Sequence, residues 1–187
     1  AGKQVVLTLA VDSIHNINCL RPTGYLSVVA SGGIPPYNYN WSNGNTGPVA
    51  SNLAPGTYSI TVIDDDGAID IVSAMITQDF TLPTADAGAN FTTLCSNSAT
   101  NLNGSGSTGA EFAYLWTASG GGSIQSGAST LTPLISHVGV FTLKVTNTTN
   151  GCTATDGVAV TSVHQSPAAT ATGGSFNCTQ PSLMLNA

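Results

Sequence analysis

Two in-phase aromatic runs limit what this chain can become. The first lies in GGIPPYNYNWSNG, at 32–44, and LAPGTYSITVIDDDG follows at 53–67. Tyr37, Tyr39 and Trp41 alternate with Asn38 and Asn40, so the rings share one face and the amides the other. Gly32-Gly33 and Pro35-Pro36 break any periodic structure upstream, and Pro36 pushes Pro35 toward extended geometry. Ser42-Asn43-Gly44-Asn45 is turn chemistry, and Pro55-Gly56 signals a second turn. Residues 57–63 then alternate again, with Tyr58, Ile60 and Val62 on one side. Asp64-Asp65-Asp66-Gly67 marks a hairpin end, with Gly taking positive φ. The pattern predicts half-buried antiparallel strands.

The second run repeats the first. Phe112, Tyr114 and Trp116 alternate as Tyr37, Tyr39 and Trp41 do. Gly139 followed by Phe141, Leu143 and Val145 mirrors Gly56 followed by Tyr58, Ile60 and Val62. Asn150-Gly151 mirrors Asp66-Gly67. The expected core aromatics are therefore Tyr39, Trp41, Tyr58, Tyr114, Trp116 and Phe141. Further strands are expected at 5–11, 25–30, 69–76 and 158–160. A polar connection is expected at 12–21, a linker at 77–83 and an exposed loop at 119–130. A third copy starts at Phe176-Asn177-Cys178: Cys178 stands seven residues before Leu185, as Cys95 does before Leu102 and Cys19 before Leu26. The expected fold is all-β, with tandem Ig-like antiparallel sandwiches over 1–79 and 80–165. Residues 166–187 open a third repeat, cut from a longer array or donated as a strand to a neighbour. Repeats of this length are separate beads, each with its own core.

Composition narrows the function. Only 6% of the 187 residues are charged and the net charge is −6. Three basic residues cannot form a nucleic-acid footprint or a polybasic membrane patch. No apolar run is long enough for a membrane span, so direct insertion is not expected. No signal peptide opens the sequence, which fits a mature chain or a piece of a longer one. With 21 Gly and 9 Pro scattered along the chain, long helices are disfavoured.

Four cysteines in a polar, strand-rich chain point to an oxidising compartment. Cys95 precedes the second unit's core strands and Cys152 follows its hairpin turn. A Cys95–Cys152 bond is expected, packed beside Trp116 as in immunoglobulin domains. The first unit has Ala68 where the second has Cys152, which leaves Cys19 without that partner. Cys19 and Cys178 are then either two unpaired thiols or an inter-chain bond locking a polymer.

The motifs GG-x-PPY-x-Y-x-W and L-x-x-G-x-Y-x-x-x-V, over residues 19–78, resemble the SprB-type repeat of Bacteroidetes gliding adhesins. The second unit, AGANFTTLC…YLW…GVFTLKVTNTTNGC, is similar to PKD-like and other Ig-like repeats of the same giant surface proteins. The resemblance implies extracellular display through type IX secretion, and roles in adhesion, gliding or filament building. It lends no catalytic residue and no cofactor.

Individual candidates are few. Asp64, Asp65, Asp66 and Asp70 supply oxygens of the kind Ca²⁺ takes, but without the spaced ligands and closing Glu of a calcium loop. A solvated hairpin turn is the simpler reading. His15, His137 and His164 share no metal-ligand spacing. No nucleophile elbow or paired acid is present, so an enzyme is not expected. Asn40, Asn90, Asn103, Asn147 and Asn177 begin N-x-S/T triplets that a chain this rich in Asn and Thr produces by chance. Asp12-Ser13-Ile14 resembles the Bacteroidetes O-glycosylation motif, which makes Ser13 a glycan candidate. The expected partners are copies of the chain or flanking repeats, with surface glycans as a further class. The first hypothesis is a structural filament or stalk protein. Its alternatives are a glycan-binding adhesin, using exposed aromatics or the 119–130 loop, and a carbohydrate-binding module of a secreted protein.

Overall fold

A computed structural model describes residues 5–163, except 108 and 110. All fifteen regular elements among these residues are strands. The chain divides into two compact units between Thr81 and Leu82, and the short segment Asn150–Cys152 groups with the first.

The first unit contains β1 (Thr8–His15), β2 (Ile17–Asn18), β3 (Gly24–Ser31), β4 (Asn38–Trp41), β5 (Val49–Leu53), β6 (Gly56–Ile63), β7 (Ile69–Ile76) and β8 (Gln78–Asp79). One sheet has the order β1-β3-β5 and the other β4-β6-β7, with β2 and β8 as a short parallel pair. Leu26, Val28, Ala50 and Leu53 from the first sheet meet Trp41, Ile60, Val62 and Ile76 from the second in a single core. Burying each large aliphatic side chain there contributes roughly 1.5–3 kcal/mol. Alternation explains which residues enter: Ile60 and Val62 are buried while Thr57 and Ile63, on the other phase, are exposed.

The second unit contains β9 (Phe91–Thr93), β10 (Thr100–Asn101), β11 (Phe112–Ser119), β12 (Ser123–Ser126), β13 (Leu134–His137), β14 (Gly139–Asn147) and β15 (Thr153–Ser162). Its sheets run β11-β14-β15-β9 and β10-β13-β12, with β9 parallel to β15. Trp116, Phe141, Leu143, Val145, Val158 and Val160 pack with Leu102 and Ile135. The architecture is all-β and Ig-like, antiparallel apart from the two short parallel pairings.

The aromatic strands occupy matching places. Trp41 stands opposite Ile60 and Tyr39 opposite Val62. Trp116 stands opposite Leu143 and Tyr114 opposite Val145. Each indole donates to a carbonyl of its own unit: Trp41 Nε1 to Gly47 O at 2.9 Å and Trp116 Nε1 to Thr130 O at 3.0 Å. A buried indole N–H without a partner would carry a desolvation cost, so these two acceptors fix the loops that supply them.

Several expectations change. The first strand begins at Thr8 and continues to His15, past the polar residues expected to end it. A bulge at Asp12 makes this possible: Val11 faces Val28 and Ser13 faces Ser27, leaving Asp12 the extra residue. The 119–130 segment is not simply a loop. Ile124 pairs with Ile135, which makes β12 an edge strand of the second sheet, and Trp116 N donates to Ala128 O at 2.8 Å. Within the 77–83 linker, β8 pairs with β2. The proposed third repeat at 166–187, with Cys178, lies outside the described residues, as does His164.

Candidate functional site

Asp64 organises the turn end of the first unit. Its Oδ2 accepts from Ile34 N at 2.8 Å, and its Oδ1 from Ala68 N at 2.8 Å and Asp66 N at 3.1 Å. The side chain is 6% exposed. The Ile34 N–H, first among these donors, holds the carboxyl below the usual carboxylate range; burial opposes the shift, and the Ala68, Asp66 and Gly67 N–H groups add to it. Gly33 permits this close approach. Its φ is 62°, and a Cβ there would lie 2.4 Å from Asp64 Oδ2.

Asp70 is committed in the same way. Leu9 N donates to Oδ2 at 2.7 Å and Ile71 N to Oδ1 at 2.8 Å, so the carboxylate links β7 to β1. Asp156 does the corresponding work in the second unit, accepting from Ala87 N at 2.7 Å. Two of the four acids considered for Ca²⁺, Asp64 and Asp70, thus already have their oxygens on backbone N–H groups. Among the described residues no three His, Cys, Asp or Glu side chains are grouped to hold a metal ion.

The disulfide differs from the expected one. Cys19 bonds Cys152, with Cα atoms 5.0 Å apart. Strand direction rules out Cys95–Cys152. Because β9 runs parallel to β15 and pairs with Val160–Ser162, Cys95 follows the Ser162 end, whereas Cys152 precedes the Thr153 end. Ten residues of strand at about 3.3 Å each separate those ends, against the roughly 4.4–6.8 Å between Cα atoms that a disulfide allows. Cys95 is also disulfide-bonded. Since Cys19 is joined to Cys152, it is neither an unpaired thiol nor a link to Cys178. The turn carrying Cys152 is specialised. Asn150 Oδ1 accepts from Cys152 N and its Nδ2 donates to Thr81 O, both at 2.9 Å. Gly151 has a φ of 74°, and a Cβ there would come within 2.1 Å of Leu20 Cγ. Asp79, near this turn, is held below the usual carboxylate range by the Thr81 N–H and hydroxyl and by the Asn150 side chain.

Trp41, Trp116 and Phe141 are 3%, 2% and 0% exposed. Tyr39, Tyr58 and Tyr114 are half-buried at the core margins. Tyr58 and Tyr114 donate their hydroxyls to Ala54 O and Ser107 O. Tyr37 and Tyr39 wall an open depression of about 430 Å³ in the first unit, together with Asn38, Thr46, Ile63 and Asp65. Ser13 is half-buried on β1, its Oγ 3.4 Å from His15 Nε2, and His15 stacks on Tyr25. Asn90 Oδ1 accepts from Ala159 N, and Asn103 and Asn147 accept from backbone N–H groups two residues on.

The carboxylate and amide anchors were missed because their partners are remote in sequence: Leu9 lies 61 residues from Asp70, and Ala87 lies 69 from Asp156. Asp70 stands opposite Val62 but Asp156 opposite Leu143, so the two are offset by one alternation and do not align as a repeat.

No curated protein matches the sequence. Among solved structures, the chain is similar to the N-terminal eight Ig domains of Down Syndrome Cell Adhesion Molecule isoform 1.30.30, at 12% identity and a TM-score of 0.41, over 86% of this chain and 25% of that one. It is similar to three N-terminal domains of the Highly Immunogenic Outer Capsid protein of bacteriophage RB49, at 15% identity and a TM-score of 0.44, over 84% of this chain and 59% of that one. It is also similar to domains 4 and 5 of the S-layer protein SbsC, at 13% identity and a TM-score of 0.34, over 86% of this chain and 100% of that one. The chain therefore spans a quarter of the first and 59% of the second. The family model described as SprB repeat matches residues 11–46, starting within β1 and ending just past β4, short of the β6 strand that the sequence motif also includes. Over residues 11–46, this chain is similar to the SprB repeat.

Proposed function

We propose that the chain is a non-catalytic structural segment of an extracellular bacterial surface protein, built from Ig-like repeats and serving adhesion, gliding or fibre assembly. The SprB match over residues 11–46 carries this reading. The Cys19–Cys152 bond supports it, because such bonds persist in oxidising surroundings and are rare in the cytosol. The mechanism is mechanical. Each unit is a sandwich whose tryptophan is pinned to its own loop; the Asp70 carboxylate ties β7 to β1, and that of Asp156 ties β15 to the segment ahead of β9. Type IX export, PKD-like character of the second unit, and copies of the chain or flanking repeats as partners belong to the same proposal.

Antibody raised against the purified chain should label intact, unpermeabilised source cells, and external protease should remove the label. Cells lacking the segment should attach or glide less well. Labelling that requires permeabilisation would overturn the surface assignment. A second reading, a glycan-binding adhesin, is favoured by the tyrosine-walled depression beside β4.

A further inference from the structure

The depression beside β4 is open to solvent and lined by aromatic and polar residues. Its volume of about 430 Å³ lies within the ~300–1,000 Å³ common for small-molecule sites. Tyr37 and Tyr39 meet edge to face, with centroids 6.5 Å apart and planes at 81°, so the rings form a corner rather than a closed stack. Tyr37 is fixed by donating its hydroxyl to Gly32 O. Among the described residues, the Tyr39 hydroxyl and the side chains of Asn38, Thr46 and Asp65 make no hydrogen bond, and all line the same opening. Asp64 also lines it, but its oxygens are taken by backbone N–H groups.

These groups select by chemistry. An apolar ligand would strip water from an amide, two hydroxyls and a carboxylate without replacing their hydrogen bonds. An anionic ligand would meet Asp65 with no Lys, Arg or His among the lining residues to offset it. A ligand with an apolar C–H face and a rim of neutral hydroxyls satisfies both constraints. We propose that the depression is a subsite for a neutral saccharide, with tyrosine ring carbons against the face of one sugar ring and Asn38, Thr46, Asp65 and the Tyr39 hydroxyl bonding its hydroxyl groups. The site is separate from the surface assignment: its failure would leave that assignment intact.

The test is amide chemical-shift mapping of the full chain with maltotriose, cellotriose, chitotriose and mannotriose. At least one should shift Asn38, Tyr39, Thr46 and Asp65 saturably at about 1–10 mM. The Asn38→Ala/Asp65→Ala double variant changes exposed residues outside the core, so it should keep the wild-type melting temperature and lose about tenfold or more in affinity. Tyr39→Phe, which keeps the ring against the core, should also weaken binding, and trigalacturonate should bind less well than the neutral sugars. The proposal is overturned if none of the four sugars shifts these amides, if binding is unchanged in the folded double variant, or if a proline-rich peptide occupies the site and the sugars do not.

Discussion

Asp64 shows how one side chain can define a turn. Its oxygens accept from three N–H groups spread over Ile34, Asp66 and Ala68, which closes the β6–β7 turn onto the segment leading to β4. Asn at this position keeps one acceptor oxygen and replaces the other with a donor that faces the Ile34 N–H. Asp64→Asn should therefore melt at a lower temperature than wild type at pH 7. The folded pKa lies below the unfolded one, so the stabilisation is complete above the unfolded value and fades as pH falls through the folded value. The gap between variant and wild type should accordingly narrow as melts are repeated from pH 7 down through the acid range; a constant gap would contradict the assignment. The sequence gives Asp64 as one of three consecutive aspartates. Nothing local marks it as the one turned inward, because its main partner, Ile34, lies thirty residues upstream.

At the level of elements, the disulfide can be checked directly. Chymotrypsin cleaves after Phe176 and so separates Cys152 from Cys178. Non-reducing peptide mapping should then recover Cys19 joined to Cys152. Cys152→Ser should lower stability by about 2–5 kcal/mol, measured by denaturant unfolding under non-reducing conditions, since the bond closes a separation of 133 residues. Strands whose own alternation declares them were legible in the sequence. Tyr39 and Trp41, like Tyr114 and Trp116, fall in the predicted phase opposite Val62, Ile60, Val145 and Leu143. What stayed hidden depends on remote partners. β2 and β8 have two residues each and exist only as each other's pair. β12 sits among glycines and becomes a strand because β13 lies beside it. The β9–β15 pairing is parallel, a direction no local pattern encodes, and that direction misled the expected cysteine pairing.

Across the whole molecule, sequence repeats and compact units divide the chain differently. The repeats suggest contiguous segments, whereas the first unit recruits Asn150–Cys152 from the turn between β14 and β15. This bears on how the gene can be subdivided. A recombinant product stopping at Thr81 would retain the β1-β3-β5 and β4-β6-β7 sheets but leave the Cys19 sulfur without its mate. Such a product should form reductant-sensitive dimers on gels, and Cys19→Ser in the same product should abolish them. The safe place to cut this protein is therefore set by its sulfur connectivity, not by the periodicity of its text.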